Sequence, residues 1–121
     1  MAPGREGPMQ IESDRCPGYQ WAVDIIGRRW AGAVVRAMLL GASRFSDIRA
    51  AIPGITDRVL SQRLKDLEAD GIITRQVLEE RPVRVEYTLT EQGKSLAGVV
   101  DAIASWADEW FPAGEQVRPA N

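Results

Sequence analysis

Arg58, Gln62 and Lys65 recur at i, i+4 and i+7 within residues 54–71, GITDRVLSQRLKDLEADG, so on a helix they share one face, with Ser61 and Arg63 beside them. Arginine offers a bidentate fork, glutamine a paired donor and acceptor, and lysine a movable cation. Those are the groups that read base edges and phosphates in a major groove. The same residues on an isolated amphipathic helix are also ordinary solvated surface, so the neighbouring elements decide between the two. The other reactive group is the single cysteine, Cys16, which stands between Arg15 and Pro17. At the N-terminal edge of a helix, positive charge and unpaired amides favour its thiolate, whereas a free cysteine in an apolar setting is a small filler. One cysteine allows neither an intramolecular disulfide nor a zinc site of several thiolates, and there is no histidine. No enzyme activity, metal or cofactor is expected.

The elements around residues 54–71 favour groove reading. Thr56 is a good N-cap after the Pro53-Gly54 turn, Leu60, Leu64 and Leu67 form the apolar stripe, and Gly71 ends a helix predicted over 56–70. Upstream, residues 44–52 carry Phe45, Ile48 and Ile52 at i, i+3 and i+7 and stop at Pro53. Two helices across a tight turn make a helix-turn-helix. Downstream, residues 73–77 and 83–89 alternate, the second run with Val83, Val85, Tyr87 and Leu89 on one side and Arg84, Glu86 and Thr88 on the other. The five residues between them lack glycine but include Pro82, which predicts a loose hairpin. The expected fold class is mainly α with a small β-hairpin (α+β), a winged helix-turn-helix.

Length and charge fit one such unit. A chain of 121 residues with 45% hydrophobic and 26% charged residues makes one globular domain, expected over 14–111. Residues 1–13 and 112–121, rich in Gly, Pro, Ala and charge, are expected to be mobile tails. No apolar run approaches the ~18 residues of a membrane span and no signal-peptide core is present, so a cytoplasmic protein without a membrane partner is expected. The net charge of −2 argues against nucleic acid until its distribution is considered. Residues 28–65 hold eight basic and two acidic residues, so the positive field coincides with the helix-turn-helix.

The flanks predict assembly. Leu96, Val99, Ile103, Trp106 and Trp110 are spaced 3, 4, 3, 4, with Val100 and Ala107 widening the stripe. Such a helix either caps its own core or forms a dimer seam. A small winged helix has little room to bury two terminal tryptophans, so a homodimer is expected. A helix over residues 17–26, with Pro17 in its first turn, Trp21, Val23, Ile25 and Ile26 as its apolar residues and Gly27 as its stop, is expected to pack on the same seam.

The ordered set Cys16-Pro17, Ile26-Gly27-Arg28-Arg29-Trp30, Arg44-Phe45-Ser46-Asp47-Ile48, Pro53 to Ser61, Leu64 to Glu68 with Gly71-Ile72-Ile73, and Arg84-Val85-Glu86-Tyr87-Thr88-Leu89-Thr90 resembles the HxlR family of bacterial winged-helix transcriptional regulators. The likeness spans about residues 16–110. It implies a homodimer joined through its N- and C-terminal helices on double-stranded DNA, an inverted-repeat operator, with the second helix of the motif in the major groove and the wing over the adjacent minor groove or backbone. Thr56, Arg58 and Ser61 match family positions at the reading helix. Gln62 and Lys65 fill variable ones that would tune the operator sequence. Arg44 joins them as an expected contact. The wing departs from the family's commoner Pro-Pro-Arg-Val-Glu-Tyr: Pro82-Val83 precedes Arg84, and Glu79 and Glu80 lie near the tip. Its contacts are expected at Arg81 and Arg84. Cys16 matches a cysteine that in some relatives senses oxidants or electrophiles. Two alternatives remain open: a small-molecule effector in an apolar pocket lined by Trp21, Trp30, Trp106 and Trp110, and use of the winged helix as a protein-interaction module.

Overall fold

Thr56 starts the helix that carries Arg58, Gln62 and Lys65. In extended conformation (φ −89°, ψ 158°), its hydroxyl oxygen accepts from the Val59 amide at 3.2 Å. The computed structural model describes residues 16–112, in the order α1 (Cys16–Gly27), α2 (Ala31–Leu39), α3 (Phe45–Ala51), α4 (Asp57–Ala69), β1 (Ile73–Leu78), β2 (Arg84–Leu89), α5 (Glu91–Lys94) and α6 (Ala97–Trp110). The tails expected at 1–13 and 112–121 lie outside the described residues, apart from Pro112. Among the described residues no helix is long and apolar enough to cross a membrane.

Leu60, Leu64 and Leu67 bury the inner stripe of α4 against Ile48 of α3, Val34 and Val35 of α2, and Ile72 and Ile73 at the start of the hairpin. At roughly 1.5–3 kcal/mol for each large aliphatic side chain fully buried, this stripe is what holds α4 to the domain. The hub of that core is α2, which packs on α1, α3, α4, α6 and β2. Sequence periodicity did not reveal α2. Its buried residues, Ala31, Val34, Val35, Ala37 and Met38, lie on one face, but the outward Gly32, Ala33 and Leu39 are small or apolar too, so only Arg36 marks the other side. It begins at Trp30, a non-glycine residue at φ 76°.

The wing is a two-stranded antiparallel hairpin in which Ile73 pairs with Leu89, Arg75 with Tyr87 and Leu78 with Arg84. Its root is anchored twice. The Tyr87 amide donates to the Ser43 carbonyl oxygen at 2.8 Å, tying β2 to the segment before α3. Thr90 caps α5 by accepting from the Gly93 amide at 3.0 Å, and its hydroxyl donates back to the Gly71 carbonyl at 2.7 Å. Gly93 is required there, because a Cβ would run into the Ile72 carbonyl oxygen. α6 then returns across α2, with Leu96 and Val100 turned into the core.

Candidate nucleic-acid interface

Arg58, Gln62 and Lys65 are exposed on the outer face of α4, with Ser61 half-buried beside them. Among the described residues Arg58, Lys65, Arg44 and Arg81 form no ion pair, while four other arginines do. Arg28 binds Asp70 at 2.8 Å, Arg49 binds Asp57 at 2.8 Å, and Arg63 binds Asp66 at 3.0 Å. Arg63 also donates from Nε to the Arg29 carbonyl oxygen at 2.8 Å, so it braces α4 against the α1–α2 loop instead of facing outward. The reason is angular: five residues beyond Arg58 is about 140° around the helix, far from the Arg58 face. Asp66 also accepts from Gln62 Nε2 at 3.0 Å, which holds the amide along the helix surface. The hydrogen bond to Asp70 holds the Arg28 guanidinium above its ordinary pKa against desolvation, with the charges of Asp70, Asp66 and Asp24 adding to it. Arg28 therefore stays charged and clamps the end of α4.

The wing differs from the sequence expectation. Arg84 is half-buried, with Nη2 at 3.1 Å from Glu86 and 3.7 Å from Glu80, and its Nε is buried without a partner. The acids near the tip hold this guanidinium inside the hairpin. Arg81 is exposed in the loop. A residue that sequence reasoning passed over, Arg75, is exposed on β1 opposite Tyr87. With Ser61, Leu64, Lys65 and Glu68 of α4, these two line a hollow of about 350 Å³ between the reading helix and the hairpin. Only the strand register brings Arg75 there, and no spacing within one element could have shown it.

The terminal helices divide their apolar residues. Val99, Ile103, Trp106 and Trp110 are exposed on α6, the two tryptophans at 59% and 62%, and Trp21 and Val23 are exposed on α1. Leu96, expected in the same seam, is instead the residue capping α6 and packs against the protein's own core. An apolar cavity of about 550 Å³ lies between α2, the α3–α4 turn and α6, walled by Trp30, Arg36, Ile52, Pro53, Val100 and Ile103 among others. Of the four tryptophans expected to line such a pocket, Trp30 does so, 3.7 Å from a Cβ built on Gly54, while Trp21, Trp106 and Trp110 lie elsewhere. The backbone places Cys16 at the first position of α1.

Residues 25–115 match the HxlR-like helix-turn-helix family over most of this architecture. The chain belongs to that family. The HTH-type transcriptional regulator YvaP of Bacillus subtilis (strain 168) is 48% identical over 100 residues, covering 83% of this chain and 93% of YvaP. YodB of the same organism is 41% identical over 102 residues, covering 84% and 91%. Its reduced form superposes with a TM-score of 0.69 at 40% identity, covering 83% and 98%. The oxidised redox regulator HypR superposes with a TM-score of 0.71 at 36% identity, covering 87% of this chain and all of HypR. YodB has also been solved after diamide treatment and with quinone bound. This HxlR-type chain is a DNA-binding transcriptional regulator built on a winged helix-turn-helix.

Proposed function

We propose that this regulator acts as a homodimer that reads an inverted-repeat operator through α4 and changes its DNA affinity when Cys16 is modified. The observation that carries the reading is the selective freedom of its cations. Among the described residues Arg28, Arg49, Arg63 and Arg84 are held by carboxylates, whereas Arg44, Arg58 and Lys65 of the helix-turn-helix form no ion pair. A guanidinium with no internal partner forms a bidentate contact to a guanine edge without first breaking an ion pair. Thr56 at the α4 N-terminus, where the amides point outward, suits a phosphate contact, and Ser61 adds a hydroxyl on the same side.

The exposed Val99, Ile103, Trp106 and Trp110 support pairing of α6 with a second copy, and exposed Trp21 of α1 extends the apolar surface. The backbone places Cys16 at the first position of α1, and the N-terminal end of a helix favours a thiolate. The oxidised HypR and the quinone-bound YodB show the kind of chemistry such a thiolate would meet. The 550 Å³ cavity favours one second reading, a bound apolar effector, because its walls come from both the helix-turn-helix and α6.

The experiment is a footprint of the purified protein on the DNA upstream of its own coding sequence, followed by titration of the protected duplex. Arg58→Ala should weaken binding by about 1–3 kcal/mol while leaving mixed-sequence DNA nearly unaffected. Equal operator affinity for Arg58→Ala and wild type would mean that α4 is not the reading helix.

A further inference from the structure

The hollow between α4 and the hairpin joins residues that neither element would bring together alone. Ser61, Lys65 and Glu68 follow at intervals of four and three on one side of α4, and Arg75 reaches the same space from β1 beside its cross-strand neighbour Tyr87. Lys65 and Arg75 form no ion pair among the described residues, although Glu68 shares the hollow. Two cations against one carboxylate leave it net positive. Ser61 and Tyr87 each bring a hydroxyl to the lining, and Leu64 in the same lining is buried. The Tyr87 amide is itself anchored to Ser43, which fixes the hairpin relative to the helix-turn-helix.

We propose that this notch is a dedicated site for a single DNA backbone phosphodiester, held by Lys65 and Arg75 together and positioned by the Ser61 and Tyr87 hydroxyls. The proposal rests on α4 being the reading helix and assigns its flank. A phosphodiester carries one negative charge and two free oxygens, which suits two converging cations and hydroxyl donors. Arg84 is unavailable for this task because Glu80 and Glu86 occupy it. Arg75 at the root of the wing, rather than an arginine at its tip, then sets the register of the reading helix on the duplex. Lys65 accordingly anchors backbone instead of discriminating bases.

The test is the salt dependence of binding to mixed-sequence duplex DNA, measured by fluorescence anisotropy with the full chain. Each phosphate neutralised contributes a slope of about −0.9 in log K against log salt. Arg75→Gln and Lys65→Gln should each weaken binding several-fold but leave the slope nearly unchanged, because the remaining cation still neutralises the phosphate. The double variant should lose about 0.9 in total, because both cations serve one phosphate. Arg75→Lys should retain the wild-type slope, and Tyr87→Phe should weaken binding without changing it. A double-variant loss of about 1.8 would indicate two separate phosphates and overturn the shared notch. So would an Arg75→Gln affinity equal to wild type, or an Arg75→Gln variant that alters base preference in a set of single-base operator changes. If the wild-type protein binds neither the footprinted nor the mixed-sequence duplex, the failure lies with the DNA-reading assignment itself. If it binds both and Arg58→Ala loses only the operator, that assignment stands, and an unchanged Arg75→Gln affinity then overturns the notch alone.

Discussion

Arg58 and Arg84 are the same residue type, and the structure gives them opposite states. Arg58 is exposed and forms no ion pair among the described residues, whereas Arg84 is half-buried between Glu80 and Glu86. Removing Arg84 frees two partly exposed carboxylates near the tip. Arg84→Ala is therefore expected to cost up to about 1 kcal/mol of stability in a denaturant melt and to leave the salt slope of DNA binding unchanged. A shallower slope would show that Arg84 leaves its acids for a phosphate. At Cys16 the prediction is chemical: Cys16→Ser should bind DNA as wild type does and ignore diamide or a quinone. A serine variant that still responds would move the switch to the apolar cavity. Sequence spacing located the face of α4, because positions i, i+4 and i+7 fall together on any helix. It could not show which arginines are occupied, since Arg28 with Asp70 and Arg84 with Glu86 are settled by tertiary placement and strand pairing.

The elements were legible where local chemistry and tertiary packing agree. Thr56 caps α4 as its type predicts, and Thr56→Ala should cost about 1 kcal/mol in thermal or denaturant unfolding, with the loss concentrated in early exchange of the Val59 amide. An unchanged stability would mean that the Thr56 hydroxyl serves only DNA. α2 was missed because its outward positions, Gly32, Ala33 and Leu39, are themselves small or apolar, so only Arg36 marks the polar side. The short α5 was missed because its reason is a close approach: Gly93 fits beneath the Ile72 carbonyl oxygen, and four residues carry no periodicity. Gly93→Ala must shift the root of the wing and is expected to destabilise the fold by about 1–3 kcal/mol, measured by chemical denaturation. Wild-type stability for that variant would show that the α5 turn yields freely. In α6 the stripe was correctly found but its ends were not: Leu96 and Val100 turn inward onto α2, and the outward seam begins at Val99.

At the scale of the whole molecule, a charge map that is acidic overall and basic at the helix-turn-helix accompanies an apolar surface on the terminal helices. Trp106, 59% exposed, makes a tilted contact with Phe111 at 6.0 Å between ring centroids and is otherwise open to solvent. A second copy covering that surface would bury it, and Trp106→Asp would place a charge in the interface. Sedimentation velocity should then give a folded monomer for Trp106→Asp and a dimer for wild type at micromolar concentration. A wild-type monomer there would rule out the dimer. Such a dimer would fix the distance between two copies of α4, which would have to meet successive major grooves about 34–36 Å apart. A change at the α1 N-terminus that shifts the subunits would misalign both helices at once.

The most direct test is selection of bound duplexes from a random-sequence pool by the wild-type protein, with Arg58→Ala run in parallel. Wild type is expected to enrich an inverted repeat whose half-site centres lie about one helical turn apart, and Arg58→Ala to lose the enriched base pairs. No enrichment by the wild-type protein, or the same motif recovered by Arg58→Ala, would contradict α4 as the reading helix of a paired regulator.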